Sequence, residues 1–88
     1  MDWQIKYRSS VEKDVDRLPA DVRSLVLRLL AELATNPFPE GSKKLKGSAD
    51  RFRLRCAGSY RIVYKVFQVE RLINIEFVGH RKDAYRWF

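Results

Sequence analysis

The chain has 88 residues and a mass of 10.4 kDa, which suffices for one domain over residues 1–88 and is too short for two. A single cysteine, Cys56, and a single histidine exclude an internal disulfide and a Cys/His metal cluster, so we expect no metal and no cofactor. The net charge of +7 attracts phosphate backbones, anionic membranes or an acidic protein and does not by itself choose among them. The absence of a signal peptide and of a long apolar run predicts a cytoplasmic protein that has no membrane partner.

The first residues predict a strand followed by a short helix. Apolar and polar side chains alternate over residues 3–8, which is typical of a half-buried strand. Ser9 and Glu12 have the spacing of a capping box, so we expect the helix to begin there. Its apolar face consists of Val11, Val15 and Leu18. Pro19 ends it.

A second, longer helix follows directly. Residues 19–21 combine a proline with an acidic side chain, both of which suit the first turn of a helix. The apolar stripe behind them is formed by Val22, Leu25, Val26, Leu29, Leu30 and Leu33. Two prolines within residues 36–41 end the helix. The two helices therefore predict a helical hairpin.

Three strands are predicted after the helices. Alternation returns over residues 51–56 and 60–66, and again over Ile73, Ile75 and Phe77. The connections between these strands are short, which favours an antiparallel meander. The predicted fold class is α+β with the order β-α-α-β-β-β, in which the N-terminal strand and the helical hairpin pack on an antiparallel sheet.

The first hairpin gathers arginines on one face. A three-residue loop, residues 57–59, places Arg55 opposite Arg61 and keeps the apolar side chains together on the other face. Arg53 lies two residues before Arg55 and therefore shares its face. Like charges directly opposite each other cost stability, so this face favours an anion. A merely solvated sheet face is the alternative interpretation.

Most of the positive charge lies in the second half of the chain. Residues 41–88 carry 12 basic and four acidic side chains, whereas residues 1–40 carry six and seven. Residues 79–88 mix basic with aromatic side chains, which suits stacking on bases beside phosphate contacts. The alternative for Trp87 and Phe88 is packing on the core. His80, the single histidine, is a candidate proton donor or acceptor because imidazole can both give and take a proton.

Several of these segments resemble the RelE branch of the RelE/ParE toxin superfamily, and the resemblance covers essentially the whole chain. The most specific segments are the Tyr-Arg-Ile-Val-Tyr strand and the Gly-His-Arg-Lys-Asp-x-Tyr ending. The matching segments are Ser10–Asp14, Leu18–Pro19, Asn36–Pro37, Lys44–Gly47, Phe52–Arg55, Gly58–Tyr64 and Val78–Arg81 with Tyr85. The resemblance implies a RelE-like microbial RNase-type fold.

The resemblance also implies a function. It implies a type II toxin–antitoxin system whose toxin is an endoribonuclease that enters the ribosomal A site, cleaves translated mRNA there and so inhibits translation. It further implies a RelB-like antitoxin in a toxin–antitoxin hetero-oligomer, with the ribosome and mRNA as the other partners. The implied catalytic residues are Arg55, Arg61, Arg81 and Tyr85, and the implied RNA-binding residues are Lys43, Lys44, Lys46, Arg53, His80 and Lys82.

One departure from the family pattern concerns the general base. The two positions before the turn, lysines in the best-recognised pattern, are Arg53 and Arg55 here, and arginine does not release its proton at neutral pH. We therefore expect metal-independent attack by the ribose 2′-OH in which arginines stabilise charge. The alternatives are a ParE-like inhibitor of DNA gyrase without RNase activity and a catalytically inactive RNA-binding homologue.

Overall fold

The computed structural model describes residues 2–84, and its core is one five-stranded sheet with the two longer helices on one face. The elements in chain order are β1 (Gln4–Tyr7), α1 (Val11–Asp16), α2 (Ala20–Leu33), β2 (Ser42–Lys44), β3 (Arg51–Cys56), β4 (Tyr60–Phe67), β5 (Leu72–His80) and α3 (Arg81–Ala84). The strand order is β1-β5-β4-β3-β2. The predicted α+β class is confirmed. No helix within residues 2–84 is long and apolar enough to cross a membrane.

The sheet differs from the predicted meander at both edges. Strands β3, β4 and β5 are antiparallel as expected, but β1 pairs in parallel with β5. The strand β2 was not predicted, because its three residues lie in a basic loop without apolar alternation. The helix α3 was not predicted either, since four residues are too few to show a helical period.

The two predicted helices are present, although the first begins differently. The helix α2 buries its stripe against the sheet through Val22, Val26, Leu30 and Leu33, with Leu25 and Leu29 half-buried. The predicted capping box at Ser9 and Glu12 does not form. Ser10 occupies the N-cap position of α1 with φ −76° and ψ −16°, so its backbone is already helical and its side chain makes no cap hydrogen bond.

A β-bulge in β5 changes which residues face the helices. Val63 of β4 pairs with Phe77 while Tyr64 pairs with Ile75, which leaves Glu76 as an extra residue. The expectation that Phe77 shares the face of Ile73 and Ile75 was therefore wrong. Phe77 instead lies on the face away from α1 and α2, which we call the outer face.

The main core contains a buried tyrosine that ties the sheet to the loop after α2. The Tyr64 side chain is 0% exposed and its hydroxyl donates a hydrogen bond of 2.7 Å to the Pro37 carbonyl.

Replacing Tyr64 with phenylalanine leaves that carbonyl unpaired, so we expect the free energy of unfolding to fall by about 1–2 kcal/mol. Urea unfolding measures this loss. The matched Tyr7→Phe substitution removes a hydroxyl from a side chain that is 55% exposed and should have almost no effect. Equal losses in the two variants would contradict the prediction.

Candidate active site

The hairpin between β3 and β4 places three arginines on the outer face, in the predicted register. Arg55 lies directly opposite Arg61, and Arg53 precedes Arg55 by two residues on the same face. The turn between the strands is tight because Ala57 and Gly58 both have positive φ values, 48° and 71°. The predicted three-residue loop is thus confirmed, and with it the grouping of these arginines.

Arg61 is held rigidly by the turn beside it. Its side chain is largely buried, and the whole residue is 8% exposed. The Nη1 group donates hydrogen bonds to the Gly58 carbonyl at 2.8 Å and to the Tyr60 carbonyl at 2.9 Å. Both bonds use the same nitrogen, so the Nε and Nη2 groups remain available to a ligand as far as residues 2–84 are concerned. Arg61 therefore has a guanidinium fixed by two hydrogen bonds.

Arg81 joins the three hairpin arginines. Its backbone N–H donates a 2.7 Å hydrogen bond to the Ser59 carbonyl, which fixes the start of α3 against the β3–β4 turn. Burial lowers the pKa of Arg61, and the positive charges of Arg55, Arg53 and Arg81 lower it further. We call Arg53, Arg55, Arg61 and Arg81 the arginine cluster. Its members are close enough to repel one another, yet arginine keeps its proton at neutral pH.

No carboxylate among residues 2–84 neutralises the arginine cluster. The two ion pairs in this part of the chain lie farther along the outer face: Arg51 contacts Glu76 at 2.7 Å and Lys65 contacts Asp50 at 3.8 Å. Repulsion between uncompensated cations is relieved when an anion binds. The cluster therefore has the charge and the hydrogen-bond donors that suit an anion, and arginine forks match phosphate oxygens.

His80 lies apart from the arginine cluster. It pairs with Tyr60 across the sheet, and the two rings meet edge to face with centroids 5.5 Å apart on the helix-facing side. Its Nδ1 accepts a 3.2 Å hydrogen bond from the Lys82 backbone N–H at the start of α3. Only Nε2 is then left for another partner. The predicted roles of His80 in RNA binding and proton transfer stay predictions.

The predicted lysines are distributed over both faces. Lys43 pairs with Arg53 and so extends the outer face, whereas Lys44 pairs with Phe52 on the helix-facing side. Lys46 and Lys82 are exposed. Tyr85, Trp87 and Phe88 lie outside the described residues, so the predictions for these three side chains stay as they were.

The outer face carries a second, smaller apolar core that was not predicted. It consists of Leu45, Val63, Phe77 and Ala84. The adjacent apolar residues Phe77 and Val78 were the available signal, because two consecutive apolar residues in a strand indicate a bulge or a sheet covered on both faces. The cores on both faces hold the hairpin and α3 in place.

A cavity lies apart from the arginine cluster. It has a volume of about 430 Å³ and lies between the end of β1, α1 and α2, where Tyr7, Val15 and Leu27 line it. The arginine cluster lies instead on the open outer face. Such a face can accommodate an extended chain.

Nearly the whole chain matches a known protein family. The profile described as "ParE toxin of type II toxin-antitoxin system, parDE" matches residues 5–85. The chain belongs to the RelE/ParE toxin superfamily. Within this superfamily it is a RelE-family toxin of a type II toxin–antitoxin system.

Individual relatives agree with this assignment. The chain is 33% identical to RelE1, named as a candidate toxin of Methanocaldococcus jannaschii, over 98% of each sequence. It is similar to the archaeal RelE of a RelE–RelB complex from Pyrococcus horikoshii, with a TM-score of 0.79, 28% identity and coverage of 92% of this chain and 97% of that one. A mutant of Escherichia coli RelE in the free state has the same fold, with a TM-score of 0.80, 24% identity and coverage of 99% and 92%.

The chemistry available at the site of this RelE-family toxin is cationic. Within residues 2–84, no group of three His, Cys, Asp or Glu side chains is placed to hold a metal ion. The nearby thiol of Cys56 is buried, and burial raises its pKa to about 11, while the Arg61 charge lowers it in part. This thiol therefore stays protonated at neutral pH and is a poor nucleophile.

The raised pKa of Cys56 predicts an alkaline loss of stability. The unfolded chain releases the thiol proton above the ordinary pKa of 9.0, whereas the folded protein retains it up to about 11. The free energy of unfolding should therefore fall as the pH rises from 9 to 11, by roughly 2 kcal/mol from this group. Urea unfolding at several pH values measures the decrease, which should be smaller in Cys56→Ala. Tyr64, whose pKa burial raises to about 12, adds to the decrease in both proteins above pH 10. The same decrease in both proteins would contradict the assignment to Cys56.

Proposed function

We propose that this RelE-family toxin is a ribosome-dependent endoribonuclease that cleaves translated mRNA in the ribosomal A site. The observation that carries this proposal is the arginine cluster, four cations without a carboxylate partner among residues 2–84, arranged around the fixed guanidinium of Arg61. A phosphodiester gains negative charge as it is attacked, so such a cluster binds the transition state better than the ground state.

The proposed reaction is a metal-independent transesterification. The ribose 2′-oxygen attacks the adjacent phosphorus as its proton passes to solvent water, and the bond from phosphorus to the 5′-oxygen breaks as that oxygen takes a proton from solvent water. The products are a 2′,3′-cyclic phosphate and a 5′-hydroxyl. Arg61 and Arg81 stabilise the charge on the non-bridging oxygens. Arg55 favours ionisation of the 2′-OH through its charge, and Tyr85 orients a base or assists proton transfer.

The RNA chain would lie along the basic residues that surround the arginine cluster. Arg53 and Lys43 are paired across β3 and β2 and continue the outer face away from Arg61. Lys46 and Lys82 are exposed and can contact phosphates. Lys44 and His80 lie on the helix-facing side, where they can contact the flanking message or ribosomal RNA. The ribosome would hold the message in line for attack.

The proposed protein partner is a RelB-like antitoxin. The similar RelE of P. horikoshii was solved in a complex with RelB. An acidic antitoxin segment would neutralise the arginine cluster and exclude mRNA from it, and the two proteins would form a hetero-oligomer.

Expression without antitoxin tests the proposal. Wild type, Arg61→Ala, Arg81→Ala and the control Lys65→Ala are each induced, and the 5′ ends of cellular mRNA and the supercoiling of plasmid DNA are measured. Lys65 is a cation of the same strand as Arg61 that is paired with Asp50 instead. Codon-phased cuts that disappear in both arginine variants and persist in Lys65→Ala are the expected result.

The same experiment examines the second candidate function, inhibition of DNA gyrase. The matching family profile carries the name ParE, and this observation favours gyrase inhibition as the second candidate. Growth arrest with intact message and altered supercoiling would replace the RNase proposal with gyrase inhibition. Growth without arrest or mRNA cuts would leave an inactive RNA-binding homologue.

A further inference from the structure

The position of Arg81 depends on the outer-face core described above. The helix α3 begins at Arg81 and rests on this core through Ala84, which is fully buried. Leu45, Val63 and Phe77 form the surface beneath it. The two ends of α3 are thus fixed by different means, the first by a hydrogen bond to Ser59 and the last by apolar packing.

The bulge at Glu76 is what brings Phe77 to this face. An unbroken alternation after Ile73 and Ile75 would direct Phe77 into the main core, away from α3. The extra residue reverses the alternation at that point. Glu76 is itself only 8% exposed and accepts hydrogen bonds from Arg51 at 2.7 and 3.5 Å, which anchor the bulge on the outer face.

Gly79 fits the same arrangement. An ideal Cβ at Gly79 would lie 2.8 Å from Cζ of Phe77. The Phe77 ring therefore occupies the space that a side chain at position 79 would need. Gly79 pairs with Arg61 across the sheet. The Phe77 ring therefore extends toward the row that carries Arg61, which places the support of α3 next to the arginine cluster.

We propose that Phe77, turned outward by the Glu76 bulge, and Val63 opposite it are positioning residues that hold α3 so that Arg81 reaches the scissile phosphate beside Arg61. This inference rests on the proposed function, because it assigns a purpose within the same site. Phe77 and Val63 act through Arg81 and touch no substrate.

A matched pair of valine substitutions tests the proposal. Val63 and Val66 lie on the same strand, are 0% and 4% exposed, and belong to the outer-face core and the main core respectively. Val63→Ala and Phe77→Leu should lower kcat for ribosome-dependent mRNA cleavage by about tenfold or more, with KM little changed, because small displacements of a catalytic group are costly. Val66→Ala should lose similar stability and keep kcat. Equal losses of kcat in Val63→Ala and Val66→Ala would overturn the proposal.

A double-mutant comparison adds a readout that a merely structural role would not change. If Phe77 acts through Arg81, Phe77→Leu should have almost no further effect on kcat in an Arg81→Ala background. An undiminished effect in that background would overturn the proposal.

Hydrogen exchange of the Arg81 amide separates this proposal from the proposed function. In Phe77→Leu this amide should exchange faster relative to main-core amides, since α3 loses its support, whereas Val66→Ala should leave that ratio unchanged. Absence of mRNA cleavage by the wild type would refute the proposed function. The exchange rate of the Arg81 amide relative to main-core amides would then test by itself whether Phe77 positions α3. An unchanged ratio in Phe77→Leu would overturn it.

Discussion

Replacing Arg61 with alanine is expected to lower the rate of mRNA cleavage by about 100-fold or more, because one fixed donor to a developing negative charge contributes that much in comparable sites. Arg61 is the most buried member of the arginine cluster and the one held by two backbone carbonyls. Its position costs no reorganisation during the reaction. Single-turnover cleavage of mRNA on purified ribosomes measures the rate.

Two further variants sharpen this prediction. Arg61→Lys keeps the charge and loses the planar fork, so it should recover only part of the rate. Lys65→Ala removes a cation from the same strand and should keep the rate. The Arg61→Ala protein should unfold within about 1 kcal/mol of the wild type, because relief of the repulsion from its arginine neighbours offsets the two lost hydrogen bonds. A normal rate in folded Arg61→Ala would refute the assignment.

Replacing Ile62 with alanine should have the opposite effect to replacing Arg61. It should greatly lower the free energy of unfolding and leave the rate of mRNA cleavage by the folded protein unchanged. Ile62 follows Arg61 in β4, faces the helices and is 0% exposed. The cavity left behind should lower the free energy of unfolding by about 2–5 kcal/mol. Small domains are stable by only about 5–15 kcal/mol, so toxicity in cells should fall at high temperature. Urea unfolding measures the stability.

Cleavage by folded Ile62→Ala at low temperature completes this test. Because the side chain is directed away from the outer face, the rate per folded molecule should stay near that of the wild type. Ile5→Ala, at a half-buried position of β1, serves as the milder control and should lose less stability. A cleavage rate reduced as much as in Arg61→Ala would show that the two faces of β4 are not independent.

Local patterns predicted the parts of this fold that local forces determine. The stripe of α2 and the register of the β3–β4 hairpin both follow from residues close in sequence, since a helix face and a short loop restrict the chain strongly. The grouping of Arg53, Arg55 and Arg61 followed from that register. It was therefore predictable before any tertiary contact was known.

Contacts between distant segments were not predictable in this way. The parallel pairing of β1 with β5 joins residues almost 70 positions apart. The residues of either strand do not indicate which other strand it pairs with. The bulge at Glu76 is hidden in the sequence because Ile73, Ile75 and Phe77 continue a regular alternation through it. The outer-face core depends on that bulge, so it was missed as well.

The pairing of β1 with β5 has a consequence for the order in which a newly made chain becomes active. The first strand has no partner in the sheet until β5 has been synthesised, since β5 is its only neighbour within residues 2–84. The hairpin that carries Arg53, Arg55 and Arg61 is made earlier, while Arg81 follows β5. A nascent chain therefore acquires the fourth arginine and closes the sheet within the same stretch of synthesis, and a chain that stops before residue 81 lacks both Arg81 and the helix α3 that begins with it.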